Sequence, residues 1–469
     1  MSAADHDETH HRNRSIRLAV VTSLFSKFGT VILRLISIPV AFRVLGKEEF
    51  GVYAAITMAV GMIDTFHVGI GPALTRAIAK AVAAKDRARE EGVFATSLLL
   101  SAGLTLFIGA ILALLVVFVP IPTLFGAKFA PFAATMQRAC GLAIVVIVVE
   151  LICLVCERAR DGYQETRFNN TWGAGGNFLG AGMLLIGVRF LPTVEFLVLA
   201  INGTLALAKL SNTIHLFVQR PYLWPRFSRF RRDLVKPLLL DGGRFSITYL
   251  LSALIEYNIF AYLIGRVSGP EAIAVYNVMI TVHFSLTGVV QMVTIPLWPA
   301  LVNAHSKGDY AWIRHSARRI RLMGPAFGLA VGLGLTTLGT WAFPLWMGEE
   351  FHISRAALAT FSAYFFLHIW RHVNQVVVLG LGLIDACVKT LVAEASISLA
   401  LVAFVLWTGG NLATVYGVLA LCLLGATGWI FPLLSVREQM RLETGPAGAP
   451  DTVPEAGFEA PVTPESVVA

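Results

Sequence analysis

Ser23, Lys27, Thr30, Arg34 and Ser37 follow one another at steps of 4, 3, 4 and 3 residues. On an α-helix that spacing puts all five on one stripe. The surrounding segment is apolar, and a central Lys or Arg in a membrane costs about 2.5–3.5 kcal/mol unless it faces protein or water. Two cations on a polar stripe, with no acid on the same helix, fit a water-filled cavity that receives an anion. The other reading is a buried ion pair to an acid on another segment, Asp64 or Glu150. Lys27 and Arg34 are two turns apart, about 10 Å along the axis, so their head groups could straddle one anion.

A second polar stripe runs through Tyr364, His368, Arg371, His372 and Gln375. Arg371 either lines the same cavity or snorkels toward an interface. The histidines have no acid partner in sequence, so packing is an alternative for them. Lys27, Arg34, Arg371 and His368 form the candidate substrate-binding set. Acids also stand in apolar surroundings, at Asp64, Glu150, Glu256, Asp385 and Glu394. A buried carboxyl takes up a proton more readily than an exposed one. Glu256, on one face with Tyr249 and Ser252, and Asp64 are therefore candidate proton-coupling groups, with structural hydrogen bonding as the alternative. Lys209 and Glu394 have no role assigned.

Enzyme signatures are missing. The sequence has no G-x-x-x-x-G-K-[ST] phosphate loop and no H-E-x-x-H. Cys153 and Cys156 make one C-x-x-C with no second pair, and all five cysteines fall in apolar segments, which points to packing rather than zinc or disulfides. No catalytic residue, metal or cofactor is expected. Gly173-Ala174-Gly175-Gly176 lies within an apolar segment and would allow close helix packing.

The elements that must position these residues are membrane helices. Hydrophobic residues make up 56% of the 469 and charged residues 14%, against roughly 45–50% and about 25% in soluble proteins. The pattern predicts an all-α polytopic membrane protein. Its twelve transmembrane helices fall near 18–42, 50–74, 93–119, 131–155, 168–188, 194–218, 244–265, 273–301, 323–345, 355–380, 387–407 and 412–434. Of the 37 Lys and Arg, 26 lie in the N-tail and the loops on its side and only five in the opposite loops. That bias places both termini in the cytoplasm. The outer loops are short. The predicted organisation is a cytoplasmic tail (1–17), a six-helix bundle (18–218), a basic linker (219–243), a second six-helix bundle (244–434) and an acidic, proline-rich, disordered tail (435–469). The linker combines Trp224 with Arg220, Arg226, Arg229, Arg231, Arg232 and Lys236, a composition that anionic lipid explains without nucleic acid. The polar N-tail, with His6, His10 and His11, reads as a solvated anchor rather than a metal site.

The chain also repeats itself. Arg43-Val-Leu-Gly-Lys-Glu-Glu-Phe-Gly-Val-Tyr53 returns 223 residues later as Arg266-Val-Ser-Gly-Pro-Glu-Ala-Ile-Ala-Val-Tyr276, with six of eleven positions identical. Pro72-Ala73-Leu74, Ala77 and Lys80 return as Pro299-Ala300-Leu301, Ala304 and Lys307. Two echoes in the same order argue for two homologous, pseudo-symmetric halves.

Arg43–Tyr53, Leu74-Thr-Arg-Ala-Ile-Ala79 and Asp161-Gly-Tyr-Gln164 resemble the N-terminal half of the polysaccharide transporter family. These are the O-antigen and exopolysaccharide flippases of the multidrug/oligosaccharidyl-lipid/polysaccharide exporter superfamily. Gly265-Arg-Val-Ser-Gly-Pro-Glu271, Tyr276, Pro296-Leu-Trp-Pro-Ala300 and Gly308-Asp-Tyr310 extend the resemblance into the second half, over about 18–435 in all. It implies two six-helix bundles enclosing a central cavity, and transport of an undecaprenyl-diphosphate-linked oligosaccharide out of the cytoplasmic leaflet of the plasma (inner) membrane. The partners it implies are membrane lipids, a polysaccharide polymerase and chain-length machinery. The alternatives are a multidrug or cation exporter of the same superfamily and, in another class, a membrane glycosyltransferase or polymerase. The exporter would be expected to line its N-terminal half with acids; the enzyme would need a long outer loop with paired acids.

Overall fold

Polar caps start several of the helices, and residues at positive φ mark several of the turns between them. The computed structural model describes residues 22, 29, 30, 33, 35–61, 70–240 and 258–444. The described residues are helical over α1 (35–61), α2 (Ile70–Ala83), α3 (Arg87–Phe118), α4 (Ala133–Gly162), α5 (Thr166–Gly187) and α6 (Val194–Gln219). They continue through α7 (Phe260–Ser268), α8 (Pro270–Ser306), α9 (Tyr310–Met347), α10 (Arg355–Gly380), α11 (Ile384–Trp407), α12 (Leu412–Gly425) and α13 (Thr427–Thr444). Asp86 caps α3 by accepting from the Arg89 N–H (2.9 Å), and Asp309 caps α9 by accepting from the Trp312 N–H (3.1 Å). Ser354 and Asn411 do the same for α10 and α12.

The halves repeat these turns. Gly46 and Gly269 both hold positive φ (73° and 91°), as do Lys85 and Gly308 (54° and 70°) and Gly126 and Gly348 (114° and 123°). Each pair stands 222 or 223 residues apart. Lys85-Asp86 and Gly308-Asp309 are thus one device used twice, a left-handed end followed by an N-cap. Phe129 and Phe351, three residues beyond the third pair, are both fully buried.

The chain divides into two compact units. Unit 1 comprises Met1–Leu254 together with Gly269–Ala274, and unit 2 comprises Ile255–Ser268 and Val275–Val468. In unit 1, Leu74 and Ile78 of α2, Phe94 and Leu98 of α3, Val155 and Ala159 of α4 and Leu216 of α6 form one core. Gly176 lets α5 approach α6, since a Cβ there would lie 2.8 Å from Ala208 Cβ. Gly51 meets the start of α8 backbone to backbone: its Cβ would fall 1.9 Å from the Pro270 carbonyl oxygen. Beside it Lys47 Nζ pairs with Glu271 at 2.6 Å. In unit 2, Ile313, Ala317 and Ile320 of α9 pack on Phe365, Ile369, Val373 and Val377 of α10 and Leu301 of α8. Gly324, Gly328 and Gly332 form a small-residue stripe on α9 that faces Val373, Phe366 and Ser362 of α10.

The fold is all-α and multi-pass, but the expected twelve spans in two six-helix bundles require correction. Among the described residues seven helices are long and apolar enough to cross a membrane: Arg87–Phe118, Ala127–Gly162, Val194–Gln219, Pro270–Thr294, Tyr310–Met347, Ile384–Trp407 and Leu412–Arg441. Polarity is the reason for two of the differences. The expected spans at 168–188 and 355–380 are helices α5 and α10, but α5 carries Asn169, Asn170 and Asn177, and α10 carries His368, Arg371, His372, Asn374 and Gln375. The segments 18–42, 50–74 and 244–265 lie partly or largely outside the described residues. All five cysteines are buried free thiols.

Candidate functional site

The polar groups of α10 hold unit 2 together from within. Arg371 Nη1 donates to Glu394 Oε1 of α11 at 3.1 Å, and both side chains are under 10% exposed. Glu394 Oε2 accepts from the Thr427 N–H (3.3 Å) and from the Thr427 hydroxyl, at the start of α13. The Nη2 of Arg371 lies 3.3 Å from His368 Nδ1. His283, from the middle of α8, stands over the same group, with ring centroids 4.4 Å from His368 and 5.4 Å from Tyr364. One turn on, His372 Nε2 and Thr294 Oγ1 are 2.9 Å apart, and Asn374 accepts from Arg321 Nε at 2.8 Å. Arg371 is thus neutralised by an acid and flanked by aromatic rings.

Unit 1 carries a second polar set between α5 and the first segment. Asn177 Nδ2 donates to Thr30 Oγ1 at 2.8 Å, and Asn170 Nδ2 to Thr22 Oγ1 at 3.3 Å. Ser37 is buried. Of the five-residue stripe, Thr30 and Ser37 are described and belong to the interior of unit 1; Ser23, Lys27 and Arg34 lie outside the described residues, as do Glu256 and Asp64. Glu150 pairs with Lys209 across α4 and α6 at 3.5 Å.

A third network gathers where span ends meet. Glu90 at the start of α3 accepts from the phenols of Tyr163 (2.5 Å) and Tyr222 (2.6 Å). Burial, and then the hydrogen bond to Glu90 and its charge, push the Tyr222 phenol up to about 12. Glu165 holds Arg220 by a fork of 2.8 and 3.0 Å and Arg160 at 3.2 Å. Asp161 accepts from Thr166 (3.0 Å) and Asn169 (2.9 Å). This accounts physically for the Asp161-Gly-Tyr-Gln164 signature. Asp161 anchors the start of α5, Gly162 lets α4 pass Ile78 where a Cβ would be 2.8 Å away, and Gln164 takes the left-handed turn (φ 59°).

Sequence reasoning missed His283 and left Glu394 and Lys209 without roles. The only signal for them was a polar residue inside an apolar run. Nothing in the periodicity pairs Arg371 with Glu394 or Lys209 with Glu150.

Solved structures share this fold. The inward-facing conformation of a multidrug resistance MATE family transporter of the MOP superfamily superposes with a TM-score of 0.67 at 15% identity, over 88% of this chain and 94% of that one. An outward-facing conformation of a MATE family transporter gives a TM-score of 0.58 at 14% identity, over 92% and 96%. A MOP superfamily transporter from Pyrococcus furiosus, described as having a binding pocket of reversed polarity that suggests a different function, gives 0.57 at 16%, over 92% and 96%. The chain therefore shares its fold with these transporters. Within it, the profile described as polysaccharide biosynthesis protein matches residues 19–305, and the chain belongs to that family. No curated protein matches it by sequence.

Proposed function

We propose that the protein moves a lipid-linked, pyrophosphate-bearing oligosaccharide from the cytoplasmic to the outer leaflet of the plasma (inner) membrane. The observation that carries this reading is membership of the polysaccharide biosynthesis family over 19–305, on a transporter's fold. An inside-negative potential favours exit of the anionic carrier by about 2.3 kcal/mol per charge per 100 mV. Lys27 and Arg34 are the proposed pyrophosphate ligands; Arg371 and His368, the other members of the candidate set, are buried with Glu394 inside unit 2. Glu256 and Asp64 are the proposed proton carriers. The charge bias of the loops sets both termini in the cytoplasm. The delivered unit would then meet a polymerase and its chain-length machinery.

A second reading is export of drugs or organic cations. It is supported by the solved likenesses themselves, two of which are described as multidrug transporters, and fold likeness favours it over the lipid-linked cargo. Against it stands the pair of cations, Lys27 and Arg34, where an exporter of cations calls for acids. The Pyrococcus relative shows in its own description that pocket polarity varies within this fold.

Gene deletion separates the two. The flippase reading expects lipid-linked repeat units to accumulate inside, surface polysaccharide to disappear and drug tolerance to stay unchanged. Arg34→Gln should reproduce the loss and Arg34→Lys should restore part of it, because a charge-assisted contact is worth about 1.5–3 kcal/mol. Normal surface polysaccharide with reduced drug tolerance would overturn the reading in favour of the exporter.

A further inference from the structure

The basic run that follows α6 is not uniform. It begins where a span ends, at Gln219, and lies against the beginning of α3 and the end of α4. Some of its residues clamp it down. Leu223 is buried in the unit 1 core, Tyr222 donates to Glu90, Arg220 forks onto Glu165, Arg229 pairs with Glu91, and the Arg231 N–H donates to Thr96 Oγ1 at 2.9 Å. Arg231 itself pairs with Asp233 at 2.8 Å. Other residues point away. Trp224 is 60% and Phe227 85% exposed, and Arg226, Arg232 and Lys236 are exposed and make no ion pair among the described residues.

Sorting the charges this way separates structure from surface. Cations needed to fix the strap already have acids. Those left over belong to the same run as two exposed aromatic rings, which begins just past the end of a span at Gln219. Tryptophan is favoured at that level because its ring is amphipathic, and unpaired Lys and Arg there meet lipid phosphates. We infer that the strap 220–236 is a docking surface for the anionic phospholipid headgroups of the adjoining leaflet. Trp224 and Phe227 enter the interface, and Arg226, Arg232 and Lys236 hold the phosphodiesters. The inference rests only on the chain's spanning a membrane and is independent of the transported cargo.

The test places a reporter on the strap of the full-length protein. The cysteines already present are all buried, so Ser228→Cys gives one accessible thiol for an environment-sensitive dye. The labelled protein is reconstituted in nanodiscs of phosphatidylcholine alone or with phosphatidylglycerol added. The expected result is brighter, blue-shifted emission in the anionic discs. The surface-bound fraction should fall about fivefold for each cation removed, and high salt should reverse the response in the parent protein. The triple variant Arg226→Gln, Arg232→Gln, Lys236→Gln should lose the phosphatidylglycerol response while eluting as a folded protein. Identical emission in both lipids, a salt-independent response, or a triple variant that still responds would overturn the inference. A response to added RNA in neutral discs, without one to phosphatidylglycerol, would overturn it as well and assign the strap to nucleic acid.

Discussion

Glu394 makes three contacts with one carboxylate, to the Arg371 guanidinium and to the backbone and hydroxyl of Thr427. Both members of the pair are shut away from solvent, so removing one leaves the other charged and without compensation. Breaking such a pair typically costs about 3–5 kcal/mol, whereas removing both partners costs far less. Glu394→Gln should therefore lower the thermal midpoint of the purified protein sharply, and Glu394→Gln combined with Arg371→Gln should recover most of the loss. A Glu394→Gln protein as stable as the parent would show that the pair does not hold unit 2 together. Thr427 belongs to the same unit of argument, because its N–H opens α13 and the carboxylate of Glu394 satisfies it.

At the scale of the helix, α9 and α10 show what a sequence reveals and what it hides. The polar stripe of α10 was legible, because His368, Arg371, His372 and Gln375 recur at helical spacing in an apolar run. Its partners were not, since Glu394 is 23 residues away on another helix and periodicity within one helix carries no information about its neighbour. The glycines of α9 carry the complementary signal. Gly324, Gly328 and Gly332 are four residues apart and all turn toward α10, while Gly334 has no atom within 4 Å of its Cβ position. Gly328→Leu should force the helices apart at a cost of about 1–3 kcal/mol or more, read as reduced folded yield and an earlier unfolding midpoint. Gly334→Leu should be tolerated, and equal damage from the two would show that the stripe is not a contact. The number of spans was misjudged because hydropathy averaged over a window treats the asparagines of α5 and the charged groups of α10 as minor interruptions. In the structure those residues are what make the two helices too polar to qualify. Of the first stripe, Thr30 turns toward α5, where Asn177 donates to it.

At the scale of the whole molecule, the two units are threaded rather than strung in series. The chain leaves unit 1, enters unit 2 at Ile255, returns to unit 1 for Gly269–Ala274 and then goes back. Helix α8 thus begins in one unit and continues in the other. The returning piece brings Pro270 onto Gly51 and Glu271 onto Lys47. The turns at Gly46 and Gly269, Lys85 and Gly308, and Gly126 and Gly348 recur at a nearly fixed spacing, yet the two units are joined through one helix that runs from the first into the second. If the gene is split between residues 240 and 258, the first half-protein lacks the few residues that cover Gly51. Expressed alone it should be degraded, and expressed with the second half it should accumulate in the membrane as a non-covalent pair that co-purifies. A first half that is stable on its own would show the returning residues to be dispensable. A chain whose two units share a helix in this way behaves as a single heritable unit. Selection can retune either half of such a protein, but it cannot pass one half on without the other.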